Sequence, residues 1–200
     1  MTRDFFEREA SKQGYTLIAG VDEAGRGPLA GPVYAAAVIF NGPVPDLNLR
    51  DSKTLSAKRR EELFEEIQER AVSIGVGKVS HEEIDSINIL KAALKAMKQA
   101  VEALNPPPDL VLIDGNLPIN THHPQKTIVK GDNKSYSIAA ASIIAKVSRD
   151  RIMEEYHTIY PEYGFKSHKG YGTREHLNAL KRYGPLPIHR RTFRGVNAGG

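Results

Sequence analysis

Thr16-Leu17-Ile18-Ala19-Gly20-Val21 runs straight into Asp22-Glu23, and after a short link comes Val33-Tyr34-Ala35-Ala36-Ala37-Val38-Ile39-Phe40. Both segments read as strands. The second is almost continuously apolar, as a strand buried on both faces is. The link, Gly25-Arg26-Gly27-Pro28-Leu29-Ala30-Gly31-Pro32, is dense in the residues that punctuate structure and reads as a turn-rich connection. Strands buried on both sides need helical layers over them, and the rest of the chain supplies helix patterns in alternation with strands. The fold class is therefore α/β.

Working outward, Gly42-Pro43-Val44-Pro45 reads as a surface loop, and Ser56 to Arg70 as a helix that Ser56 caps. Leu63, Phe64 and Ile67 fall on one face of that helix. Val72 to Val79 alternates as a strand does. A longer helix is expected over Ile84, Ile87, Ala93, Leu94, Met97 and Val101, stopped by Pro106-Pro107-Pro108. Leu110-Val111-Leu112-Ile113 and Thr127-Ile128-Val129 are short apolar runs of strand type. Ser135 to Tyr156 reads as a helix, and its small apolar stretch suits close packing on a sheet. After Pro161 the chain turns rich in Lys, Arg, His and Tyr. The domain reading is an α/β core over residues 1–158 and a basic, helical extension over 159–200.

Composition narrows the classes. The 200 residues are 40% hydrophobic and 26% charged, which suits one globular domain with at most a small appendage. No apolar run approaches the ~20 residues of a membrane span, and the first residues show no secretory signal. With no cysteine, disulfides, thiolate metal sites and a thiol nucleophile are excluded. A cytoplasmic, monomeric protein without membrane contact is expected.

Three of the expected strands end, or nearly end, in a carboxylate: Asp22 (with Glu23), Asp114 and Asp132. Strand ends of this kind converge at one sheet edge, where open α/β sheets bind ligands. Like charges about 4 Å apart repel by ~4 kcal/mol at an effective dielectric near 20, so four such acids need a counter-charge. Divalent cations with hard oxygen ligands supply it and leave positions open for phosphate oxygens. A lone Asp after a strand is ordinarily a turn or cap residue; the pattern, not any one position, carries this reading. Neighbours in a regular strand point to opposite faces. Asp22 and Glu23 can therefore serve one site only if the strand ends or bulges there, or if Glu23 offers its carbonyl.

Gly25-Arg26-Gly27 follows the acidic pair at once. Its glycines allow positive φ and close backbone approach to a ligand, and Arg26 can meet a phosphate. It matches neither a dinucleotide fingerprint nor a P-loop. From Lys166 to Arg194 there are eight Lys/Arg and a single acid, Glu175. Tyr163, Phe165, Tyr171, Tyr183 and Phe193 are interleaved, with His168, His176 and His189. One-signed charge with aromatics points to nucleic-acid contact. It also recasts the net charge of +4 as two opposed local charges.

The stretch Gly20 to Pro28 resembles the bacterial type 2 ribonuclease H family, ribonuclease HII. So do Asp51-Ser52-Lys53, Leu112 to Gly115, Lys130-Gly131-Asp132, Ala139 to Ile143, Lys146 to Asp150 and His168 to Thr173, in the family's order. Thr54 departs from the family, which more often has Lys there. The resemblance implies a ribonuclease H-like fold, a mixed sheet flanked by helices with a small C-terminal helical extension. It implies Asp22, Glu23, Asp114 and Asp132 as catalytic, metal-binding carboxylates for Mg²⁺ or Mn²⁺, two ions in the substrate complex.

It further implies an endonuclease that cuts the RNA strand of RNA–DNA hybrids. The same family cuts 5′ of single ribonucleotides in duplex DNA, as in ribonucleotide excision repair, leaving 3′-hydroxyl and 5′-phosphate ends. By the same resemblance, the backbone of Gly25-Arg26-Gly27 reads the 2′-hydroxyl and Tyr171 packs on the next sugar. Lys53 and Ser135 contact phosphate. One cation activates water while the other stabilises the departing 3′ oxygen. The proton acceptor stays open between His168, His176 and a substrate phosphate oxygen. Two other classes fit the residues alone: a non-catalytic nucleic-acid binder, and a metal nuclease acting on DNA only.

Overall fold

The computed structural model describes residues 4–41 and 55–197. In chain order the elements are α1 (Phe5–Lys12), β1 (Ile18–Ala24), β2 (Val33–Phe40), α2 (Ala57–Arg70), β3 (Ala71–Val79), α3 (His81–Ile87) and α4 (Ile89–Glu102). There follow β4 (Leu110–Asp114), β5 (Gln125–Ile128), α5 (Tyr136–Ile159), α6 (Phe165–His168) and α7 (Arg174–Tyr183). The strands form one mixed sheet in the order β3-β2-β1-β4-β5. β1, β2 and β3 pair antiparallel, whereas β1–β4 and β4–β5 pair parallel.

The strand period sorts the sheet into two faces. Ala19 and Val21 of β1, with Val33, Ala35, Ala37 and Ile39 of β2, pack on Ala93, Ala96, Met97 and Ala100 of α4. The alternate residues Ala36, Val38 and Phe40 pack on α5 and on Leu63, Phe64 and Ile67 of α2. The small residues of α5 let it lie very close. A Cβ built on Gly20 of β1 would stand 2.1 Å from the Ser137 carbonyl carbon of α5. Residues beyond α5 form their own cluster: Tyr163, Phe165, Ala179, Leu180 and Ile188 pack with Leu29, Ala30 and Met153.

Several boundaries differ from the sequence expectation. β1 does not stop at Asp22 but stays paired through Ala24. The single long helix expected over residues 84–101 is two helices. They break at Asn88, whose φ is +70° and whose side chain accepts from the Leu90 and Lys91 amides. Asparagine is a favoured cap, and this one starts the second helix. β5 ends at Ile128, and Asp132 sits in a 3₁₀ turn over Gly131–Asn133 rather than at a strand end. The Gly42–Pro45 loop lies outside the described residues.

Candidate active site

The acidic edge is built by register. Asp22 pairs with Ala36, on the α5 side, and Glu23 pairs with Ala35, on the α4 side. Because β1 remains regular here, the two side chains leave on opposite faces, and the route that needed a strand end or bulge at Asp22-Glu23 is not taken. One step beyond the Val21–Ile113 pair, the same register sets Asp22 beside Asp114. Asp114 accepts the Gly131 amide at 2.6 Å, which ties β4 to the turn carrying Asp132. Asp132 is buried and accepts from the Asn133 amide group at 3.1 Å. Glu23 pairs with Arg26 at 3.2 Å.

Asp22 is the electrostatic focus. Its side chain is buried, and burial first, then the like charges of Glu23 and Asp114, hold its carboxyl well above the usual carboxylate range. The Ser142 hydroxyl facing it from α5 and the Glu23 amide, which donates to Asp22 Oδ1 at 2.7 Å, pull it partly back. Among the described residues no three of His, Cys, Asp and Glu form a ready cage for a metal ion. The donor chemistry nonetheless fits a hard divalent cation, since the carboxylates of Asp22, Asp114 and Asp132 and the carbonyl of Glu23 are all hard oxygen donors. A buried carboxyl pressed by two others gains most from a positive charge beside it.

Next to this edge opens a cleft of about 420 Å³, lined by Glu23, the Gly25–Gly27 loop, Ser142, Arg60, Lys146 and Tyr171. Gly25 has φ +98°, and a Cβ there would lie 2.1 Å from Arg149 Nε. Only glycine satisfies both conditions. A Cβ on Gly27 would approach the Tyr171 ring at 3.3 Å, so loop and half-exposed tyrosine share one wall. A second cleft of about 480 Å³ continues past Arg60, Lys146, Lys166 and Lys169. Lys146 pairs there with Asp150, and Lys169 with Glu154, each at 2.6 Å.

Some expected site residues have other roles. Ser135 is fully buried, caps α5 through the Ile138 amide and donates to Glu7 at 2.6 Å. It has no surface to offer a phosphate, and that assignment is corrected. Lys53 lies outside the described residues. In the basic C-terminal section Lys166, Arg174, Lys181, Arg182, Arg191 and Arg194 are exposed, but Tyr163, Phe165 and Arg190 are buried.

The three histidines are buried as well. His176 Nδ1 lies 2.9 Å from the Tyr171 carbonyl, and its Nε2 lies 3.0 Å from His189 Nε2. His189 Nδ1 accepts the Leu186 amide at 2.9 Å. His168 Nδ1 accepts the Gly170 amide at 3.2 Å, and its Nε2 faces the Tyr163 carbonyl at 2.7 Å. This pattern fixes one neutral tautomer for each ring and occupies both nitrogens of all three. His168 and His176 are thus packing residues rather than proton acceptors.

The cluster predicts an acid-sensitive fold. Burial holds His176 low, and burial, followed by the proximity of His176, holds His189 down at about 4. The unfolded value is near 6.5, so between about 4 and 6.5 the unfolded chain binds more protons. Stability is complete above that window and falls as pH drops through it, by on the order of 2 kcal/mol. Urea midpoints at pH 7 and pH 4.5 measure the loss, and His189→Gln flattens it.

The sequence reading missed Ser142, Arg60, Lys146 and Arg149. One signal was available. Ser142, Lys146, Arg149 and Met153 are spaced i, i+4, i+7 and i+11, one stripe of α5 that runs from the acids to the C-terminal section. Arg149 is 1% exposed and Arg190 0%, which no periodicity suggests for arginine.

Acids that require a cation, set beside a cleft lined with cations, define a metal-dependent enzyme that acts on phosphodiesters, here on a ribonuclease H-type sheet. Residues 19–196 match the family model described as Ribonuclease HII. The ribonuclease HII of Geobacter sulfurreducens is 58% identical over 193 residues, covering 96% of this chain and 88% of the relative. Among solved structures, the ribonuclease H2 of Pyrococcus horikoshii OT3 superposes with a TM-score of 0.76 at 29% identity, over 90% of this chain and 95% of that one. The fold is shared too with Bst-RNase HIII in complex with Mn²⁺, at a TM-score of 0.72 and 20% identity, over 90% of this chain and 68% of that one. The chain belongs to the ribonuclease HII family and is a metal-dependent ribonuclease H.

Proposed function

We propose that the chain cuts the RNA strand of RNA–DNA hybrids and cleaves 5′ of single ribonucleotides in duplex DNA, leaving 3′-hydroxyl and 5′-phosphate ends. The observation that carries this reading is the shared cleft. Glu23 of the acidic edge, the Gly25–Gly27 backbone and Tyr171 line one space of about 420 Å³. A group that recognises ribose is thereby set within reach of a group that serves hydrolysis.

Asp22, Asp114 and Asp132 by their carboxylates, and Glu23 by its carbonyl, would hold the divalent cations, Mg²⁺ or Mn²⁺, two in the substrate complex. Such ions lower the pKa of water and neutralise charge on a departing oxygen. The chain's own groups do the rest. The backbone of Gly25, Arg26 and Gly27 meets the 2′-hydroxyl, the group that distinguishes RNA from DNA at one position. Tyr171, half-exposed on the same wall, packs on the next sugar and disfavours a second 2′-hydroxyl there. Lys146 and Arg60 face the phosphates of the cleaved strand. The exposed cations of residues 159–200, which we assign as the substrate-binding extension, hold the duplex backbone and make binding weaken with salt.

The test compares a DNA duplex carrying one ribonucleotide with its all-DNA counterpart. With Mg²⁺ or Mn²⁺ the ribonucleotide duplex is expected to be cut once and the all-DNA duplex left intact, and chelator abolishes cutting. Cleavage of both duplexes would replace this reading with that of a DNA nuclease.

A further inference from the structure

We propose that Arg190 is a positioning residue for ribose recognition, one that holds the carbonyls of the Gly25–Gly27 loop inward so that its amides face the cleft. The inference rests on the function proposed above. Arg190 is fully buried in the C-terminal section, far along the chain from the loop. Its Nη2 donates to the Gly25 carbonyl at 2.7 Å, its Nη1 to the Arg26 carbonyl at 3.1 Å and its Nε to the Gly31 carbonyl at 2.9 Å. One rigid fork thus clasps both ends of the connection between β1 and β2.

Arg149 completes the cradle from α5. It donates to the carbonyls of Ala30 and Pro32, each at 3.1 Å, and to Lys169 at 3.0 Å. The main chain adds two straps. The Arg190 amide donates to the Leu29 carbonyl at 2.9 Å, and the Leu29 amide donates to the Gly170 carbonyl at 2.8 Å. The Phe193 ring lies 5.0 Å from the Arg190 guanidinium and fixes its plane.

Planarity turns this clasp into ligand geometry. In a trans peptide the C=O of one residue and the N–H of the next point in opposite directions. Fixing the Gly25 and Arg26 carbonyls toward Arg190 therefore turns the Arg26 and Gly27 N–H groups the other way, toward the cleft that Tyr171 also lines. Those amides are then pre-set as donors to a hydroxyl oxygen, with no loop ordering left to pay on binding. Lysine cannot reproduce this, since one ammonium on a flexible stem does not match a planar fork that spans three carbonyls. Two guanidiniums buried side by side on backbone oxygens are costly to place, and a plain turn between two strands does not call for them.

Arg190→Lys tests the assignment on two readouts. The first is kcat/KM on a duplex with one ribonucleotide. The second is the inhibition constant of an all-DNA duplex, which reports phosphate contacts alone. A misplacement of about 1 Å in a positioning group costs on the order of 10²-fold, so kcat/KM is expected to fall 30- to 100-fold. The inhibition constant should stay within twofold.

Parallel loss of both quantities, or kcat/KM within threefold of wild type, overturns the proposal, because a merely structural arginine would loosen the site as a whole or not at all. If Arg190→Lys shows no cooperative melt, Phe193→Leu decides. It keeps the guanidinium but frees its plane, and about a fivefold loss in the same ratio is expected, whereas no change refutes the role. Wild-type protein that fails to cut the ribonucleotide duplex removes the underlying reading and this proposal with it, an outcome distinct from a variant that discriminates as well as wild type.

Discussion

Asp22→Asn is expected to remove cleavage of a ribonucleotide-containing duplex by about 10³-fold or more while leaving the fold intact, or firmer. The two effects share one cause. The Asp22 carboxyl is buried and faces the like charges of Glu23 and Asp114, so its ionised form is costly until a cation sits beside it. Asparagine keeps the shape and the hydrogen bonds to Ser142 and the Glu23 amide but carries no charge. Without divalent ions the variant should melt at or above the wild-type temperature. With Mn²⁺ the wild type should gain stability by mass action and the variant should gain little. Single-turnover rates and melting curves with and without Mn²⁺ check both halves. A variant that retains full activity removes Asp22 from the metal site.

Gly20→Ala is expected to cost about 3 kcal/mol or more of stability, although it adds one methyl group to a strand. The new Cβ would meet the Ser137 carbonyl carbon at 2.1 Å and the Ile138 amide nitrogen at 2.2 Å. Both are backbone atoms of the long helix α5, and neither can rotate away. The sheet and α5 must part, and with them Asp22 of β1 from Ser142 of α5. For a chain of this size the melting temperature should fall by roughly 6–12 °C. Urea midpoints read the loss directly, and cleavage should decline along with stability. A melting point within 2 °C of wild type would show that the β1–α5 contact is looser than described.

The sheet was legible because its strands are unusually apolar. β2 reads as buried on both faces, and every one of its residues is buried. The helix break at Asn88 was not, since Ile84 and Ile87 keep step with Ala93 and Met97 and nothing in the spacing registers a left-handed residue between them. Of the site, Asp22, Asp114 and Asp132 were visible as acids near strand ends, although Asp132 reaches the edge by a turn. Tyr171 was visible as one aromatic in a basic tail. Sequence pattern could not separate the exposed cations of that tail from Arg190, because burial of a charge depends on carbonyls supplied by Gly25, Arg26 and Gly31, more than 150 positions away. The histidines misled for the same reason. In a one-signed segment His168 and His176 read as candidate proton acceptors, and only the packed cluster shows both nitrogens of each ring occupied.

Cation-assisted hydrolysis, directed by ribose recognition, is expected to break the bond on the 5′ side of the ribonucleotide. Product-end analysis of a one-ribonucleotide duplex cut in ¹⁸O-labelled water tests it most directly. The prediction is a DNA fragment ending in 3′-hydroxyl, and a fragment that begins with the ribonucleotide and carries a 5′-phosphate with one ¹⁸O atom. A 2′,3′-cyclic phosphate on the ribonucleotide itself, with a 5′-hydroxyl on the next fragment and no label, would show attack by the neighbouring 2′-hydroxyl and would contradict the account.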